Sequence, residues 1–63
     1  MTELLNTREA AKALRLSVST IRQWTFQKKL PCVKLGGRVL FRRTDLEGFV
    51  KRNVIPAKLE ESR

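Results

Sequence analysis

The side chains best suited to reading another molecule crowd into one short run, Ser17, Ser19, Thr20, Arg22 and Gln23, in the stretch SVSTIRQW. Arginine can take two acceptors on guanine, glutamine pairs with adenine, and hydroxyls suit either base edge or a phosphate. A second concentration follows. Lys28 and Lys29 precede VKLGGRVLFRR, where Lys34 and Arg38 flank Gly36 and Gly37 and every charged side chain is positive. The chemistry on offer is hydrogen bonding and charge neutralisation, not bond making. Histidine and tyrosine are missing, and the carboxylates lie in helix-capping positions or near the C-terminus rather than converging. The glycine pair is no phosphate loop, because no glycine-rich strand-to-helix pattern ends in Gly-Lys-Ser/Thr. Cys32 is alone, so it forms no internal disulfide, and without histidine the usual zinc sets are out of reach. We expect no enzyme, no cofactor and no small-molecule substrate.

Charge narrows the class of partner. The chain carries 14 Lys and Arg against 6 Asp and Glu, a net +8 over 63 residues. All the acids, Glu3, Glu9, Asp45, Glu47, Glu60 and Glu61, lie outside residues 10–44. Inside that window sit nine bases: Lys12, Arg15, Arg22, Lys28, Lys29, Lys34, Arg38, Arg42 and Arg43. Like charges repel, so a one-signed window costs stability unless a polyanion neutralises it. No apolar stretch reaches signal-peptide or membrane length, so no membrane partner is expected and the chain reads as cytoplasmic.

The elements that would position these residues are legible from caps and spacing. The length suits one domain. Thr7 is read as the N-cap of a first helix over 8–14, with Glu9 at the positive end of its dipole and Ala10, Ala11 and Leu14 facing inward. Arg15 and Leu16 make a turn, and Ser17 caps a second helix over 18–27. Its apolar positions Val18, Ile21 and Trp24 recur every third residue, which makes Trp24 a core residue and leaves Ser19, Thr20, Arg22, Gln23, Thr25 and Gln27 outside. Pro31 closes the helical region.

Next comes a hairpin with two possible registers. A two-residue loop, Gly36-Gly37, would set Leu35 opposite Arg38 and split the apolar residues between both faces. A three-residue loop, Gly36-Gly37-Arg38, pairs Leu35 with Val39 and Val33 with Phe41, putting all four on one buried face with Lys34 and Arg42 on the other. The second register is preferred, although it leaves Leu40 outside with no role in folding. Thr44-Asp45-Leu46-Glu47 reads as a capping box starting a third helix to Arg52 that buries Leu46, Phe49 and Val50. The expected division is a domain over 1–52 and a mobile tail over 53–63, with Pro56 and mixed charge.

The pair of helices has helix-turn-helix spacing: small Ala11 permits close packing, Leu16 plugs the turn, and Ile21 and Trp24 pin the second helix across the first. In order, TREAAKALRLSVSTIRQW, KKLP and VKLGGRVLFRRTDLEGF resemble the excisionase family of small DNA-binding proteins, a branch of the MerR-like winged-helix proteins, over Leu4 to Val50. The resemblance implies a mainly α fold with a small β-hairpin: a winged helix-turn-helix of three short helices plus a two-stranded wing. It implies that the second helix enters the major groove of double-stranded DNA, with Ser19, Thr20, Arg22 and Gln23 as groove readers. Lys34, Gly36, Gly37 and Arg38 would form the wing contact, with Lys28 and Lys29 near phosphate. On this reading the glycines let the hairpin turn tightly and approach a phosphate.

One departure is Arg15, at a turn position where glycine is common; either its φ is positive, at a cost on the order of 1 kcal/mol, or the turn is built differently and Arg15 touches DNA. The implied role is an accessory factor for site-specific recombination of a mobile element, in a bacterial or phage-derived, nucleoid-associated setting. Several copies would bind side by side and bend DNA for an integrase. Two alternatives stand beside it: a small transcriptional regulator using the same surface, and a protein- or RNA-interaction module.

Overall fold

A computed structural model describes residues 3–57. The chain runs β1 (Leu4–Leu5), α1 (Thr7–Leu14), α2 (Val18–Phe26), β2 (Val33–Leu35), β3 (Arg38–Arg42) and α3 (Arg43–Arg52). Three helices and a small antiparallel hairpin thus make a winged helix-turn-helix, as expected.

Helix α1 starts one residue earlier than the caps suggest. Asn6, not Thr7, is the N-cap, because only Asn6 has a glutamate at its third helical position. The Asn6 side chain accepts the Glu9 N–H at 2.7 Å, and Glu9 Oε1 accepts the Asn6 N–H at 2.9 Å. The helix ends on Arg15, which adopts the left-handed conformation at φ 59°. The Arg15 N–H donates to the Lys12 carbonyl and the Leu16 N–H to that of Ala11, the paired bonds of a Schellman motif. Ser17 then caps α2 by accepting the Thr20 N–H at 3.1 Å.

Helix α2 ends in the same way as α1. Lys28 has φ 62°, its N–H donates to Thr25, and the Lys29 N–H donates to Trp24. Of the two alternatives at Arg15, the positive φ is the one observed, and Lys28 repeats it. Each cation also faces the negative end of its helix dipole, which offsets part of the cost.

The hairpin takes the two-residue loop, so the preferred three-residue register is wrong. Val33 pairs with Leu40, Lys34 with Val39, and Leu35 with Arg38. Gly36 and Gly37 have φ of 54° and 83°, and two consecutive positive φ values are what a type I′ turn demands. The twist of that turn matches the twist of the strands, and this outweighs the gain from gathering every apolar residue on one face. Leu35 is consequently about half exposed rather than buried. Leu40 no longer lacks a place, since cross-strand partners share a face and Val33 lies opposite it.

Sequence reading also missed a third strand. β1 is two residues long, too short to show a period, yet it pairs antiparallel with β3 through Leu4–Arg42 and Leu5–Phe41. The sheet order is β1-β3-β2, so the central strand is β3. The ladder carries on through the Arg43 N–H, which donates to the Glu3 carbonyl. That pairing sets the start of α3. The helix begins at Arg43 with Arg42 as its N-cap, and the expected Thr44–Glu47 capping box does not form. Asp45 is instead held by the Arg42 guanidinium.

Leu5, Ala10, Ala11, Ile21, Leu30, Phe41 and Leu46 form the core, with Leu14, Leu16, Val18, Trp24, Val39 and Phe49 packed against it. Phe41 and Ile21 are its largest fully buried side chains, and truncating Phe41 to alanine would cost about 3–5 kcal/mol. Trp24 meets Phe49 with ring centroids 5.7 Å apart, which ties α2 to α3 and uses the indole as core. Val50, expected inside, is about half exposed at the end of α3. Asn53–Ala57 carry no helix or strand, and the remainder of the expected tail, 58–63, lies outside the described residues.

Candidate nucleic-acid interface

Helix α2 presents its core row inward and a different row outward. Ser19, Arg22 and Gln23 are exposed, and Thr20 is half-buried. The local hydrogen bonds divide these residues by role. Ser17 Oγ accepts the Thr20 N–H and donates to Thr20 Oγ1 at 2.9 Å, so Ser17 spends both functions on the cap. Thr20 keeps a hydroxyl proton to give. Thr25 Oγ1 donates back to the Ile21 carbonyl at 2.7 Å, which turns its hydroxyl toward the helix rather than outward. Arg22 and Gln23 carry no such internal hydrogen bond among the described residues.

The corrected register aims Lys34. Because Lys34 lies opposite Val39, it stands on the Phe41 side of the hairpin, the side that faces the helices. There it lines a groove of about 340 Å³ with Thr7, Arg22, Thr25, Phe26 and Val39. A cation from α2 and a cation from β2 therefore wall the same groove, and no carboxylate of the described residues lines it. Arg38 lies elsewhere. It opens β3 beside the turn, on the opposite face with Leu35, and is exposed. The turn glycines project outward: a Cβ built on either would meet nothing within 4 Å. Their positive φ accounts for glycine at both positions. Lys28 is exposed at the end of α2, whereas Lys29 lines a separate cleft with Trp24, Phe49, Arg52 and Asn53.

Two bases of the one-signed window turn out to be neutralised. Arg42 grips Asp45 with two hydrogen bonds, Nε to Oδ2 at 2.7 Å and Nη2 to Oδ1 at 2.9 Å. Arg43 Nε donates to Glu3 Oε1 at 2.8 Å. The hydrogen bond from Arg43, then its charge, holds the Glu3 carboxyl below its ordinary value, and each arginine is pushed upward by its partner's hydrogen bond and charge. Removing Arg42 and Arg43 from the nine leaves seven, Lys12, Arg15, Arg22, Lys28, Lys29, Lys34 and Arg38, without an ion pair among the described residues.

Phe26 is the surface residue that sequence reading overlooked. Phe26 is 86% exposed and lines the same groove as Arg22 and Lys34. The signal was available: Phe26 lies outside the Val18-Ile21-Trp24 recurrence and four residues beyond Arg22, on the outward row.

This arrangement can hydrogen-bond base edges through Arg22 and Gln23 and neutralise phosphates with the surrounding cations. Over 50 residues the chain is 44% identical to the transcriptional repressor DcmR of Methylorubrum extorquens (strain DSM 6343 / CIP 106787 / DM4). The match covers 76% of this chain but 19% of that relative, so the chain spans about a fifth of the protein it resembles. A family model described as a helix-turn-helix domain matches residues 4–54, and with the paired helices and wing this makes the chain a member of the helix-turn-helix family of DNA-binding domains.

Proposed function

We propose that the chain binds duplex DNA sequence-specifically, with α2 in the major groove and the β2–β3 wing along the sugar-phosphate backbone. The observation that carries this reading is the shared groove: Arg22 on the reading helix and Lys34 on the wing wall one channel, lined by no carboxylate among the described residues. Arg22 and Gln23 read base edges, Ser19 and Thr20 support them, and Ser17 acts through the cap rather than by touching DNA. Lys28, Lys34 and Arg38 neutralise phosphates, with Gly36 and Gly37 bringing the turn to the backbone. Lys29 is the weakest member of the set, since it lines a different cleft.

The role we favour is transcriptional regulation, supported by the likeness to a repressor. The second reading is an excisionase-type accessory factor that binds in several copies and serves an integrase. It is supported by the order of motifs shared with the excisionase family over Leu4 to Val50. Selection of bound duplexes from a random-sequence pool at near-physiological salt tests both. A motif of a few base pairs establishes the groove reader. Single occurrences over promoters favour regulation, and tandem direct repeats beside attachment sites favour recombination. Recovery of no motif, with binding that vanishes as salt is added, would leave charge alone and sink the sequence-specific reading.

A further inference from the structure

Phe26 contributes nothing to the core that folding can account for. Two residues past Trp24 it points about 200° away around the helix, and it stays 86% exposed. Among the described residues, the other large apolar side chains exposed by more than half, Val54 and Ile55, lie beyond the end of α3. Phe26 instead extends the outward row of α2, three residues after Gln23, four after Arg22 and seven after Ser19. Its neighbours across the groove are Lys34 and Val39 of the wing. The ring shares its groove with Arg22 and Lys34 and with no acid of the described residues, and Lys34 weighs against a protein partner, because lysine is depleted in protein interfaces whereas arginine and aromatic residues are not. The groove suits a ligand that is anionic around one apolar point. On the base edges of duplex DNA the major groove offers one such group, the C5 methyl of thymine, set close to the flanking phosphates.

We propose that Phe26 is a specificity residue that receives the C5 methyl of one thymine, while Arg22 and Lys34 hold the DNA in the same groove. The inference rests on the reading of α2 as a major-groove helix and adds a base preference to it. Replacing thymine by deoxyuridine removes the methyl and leaves the base pair and its hydrogen-bonding groups intact. The probe is a duplex recovered by the selection above, remade with each thymine replaced in turn.

With the 63-residue chain, one replacement should weaken binding about fourfold, the equivalent of one buried methyl at about 0.8 kcal/mol, and the others should be silent. Phe26→Ala should bind more weakly and lose its response to that replacement alone. Its melting temperature should match the parent's, because the ring is exposed in both the folded and unfolded chain. A flat deoxyuridine scan, or a selected site without thymine, overturns the proposal. So does a Phe26→Ala chain weakened by the same factor on every duplex while keeping the parent's deoxyuridine profile, which would put the ring on deoxyribose. Failure of the groove-reader reading itself appears earlier, as a selection that recovers no motif.

Discussion

Arg42 and Arg43 lie a few residues from Arg38 in sequence, yet the two regions use their cations differently. At the junction of β3 and α3, each arginine meets a carboxylate at 2.7–2.8 Å, and the charge is spent on holding the sheet edge and the helix start. Around α2 and the hairpin, Arg22, Lys34 and Arg38 stay exposed with no ion pair among the described residues. The lesson is that a one-signed window in sequence overstates the free charge. Two acids from outside the window, Glu3 and Asp45, pair with its last two members. Of the cations left over, Arg22 and Lys34 line the groove and Arg38 stands beside the wing turn, where a polyanion could collect them.

The sharpest way to break this comparison is at the groove. Arg22→Ala together with Gln23→Ala should abolish sequence preference, since each bidentate base contact contributes about 1–3 kcal/mol of discrimination. Competition binding of the selected duplex against scrambled duplexes measures it, and an undiminished preference would move the reading surface off α2. A smaller effect should separate the two sets of cations. Lys34→Ala or Arg38→Ala should weaken binding to all duplexes and make the salt dependence shallower by about one unit of log-log slope. Arg43→Ala should leave that slope alone, because its charge is already taken by Glu3. Equal slope changes for Arg38 and Arg43 would show that pairing in the free protein does not decide which cations reach DNA.

Lys28 offers a test in which stability and binding move in opposite directions. Its left-handed backbone is better suited to glycine, so Lys28→Gly should stabilise the fold by about 1 kcal/mol or less, read as a rise in melting temperature. The same substitution should weaken DNA binding by removing a cation. A change that stabilised the chain and spared binding would mean the residue serves only the helix end.

The smallest effect is expected at the paired junction. The folded-state value of Glu3 lies below its ordinary 4.5, so its contribution to stability is fully present above that pH and is lost as the pH falls through the folded value. Glu3→Gln should therefore melt slightly lower than the parent near neutrality, and the gap should close as the pH drops below about 4.5. A gap that persists in strong acid would assign the difference to something other than the ion pair.

Local features were legible in the chain and tertiary ones were not. Ser17 as a cap, the inward row Val18-Ile21-Trp24 and the outward Arg22 and Gln23 follow from bonds and spacings within a few residues, and they stand where the sequence put them. Where two local signals competed, sequence reading chose wrongly. Thr7 and Asn6 are both good caps, and only the reciprocal bond with Glu9 separates them. Thr44–Glu47 matches a capping box, but the helix starts at Arg43, where the chain is still bonded to Glu3 beside β1, and Arg42 is its N-cap.

What the sequence determined by itself is the pair of short helices, the turn glycines and the exclusion of acids from residues 10–44, because each depends on local geometry or on composition. The tertiary structure alone decided the hairpin register, the third strand and the neutralisation of Arg43 by a glutamate 40 residues away. It also decided that Arg22 and Lys34 share one groove. These depend on chain closure, in which the twist of a two-glycine turn and a two-residue strand outweigh any pattern that apolar spacing can display.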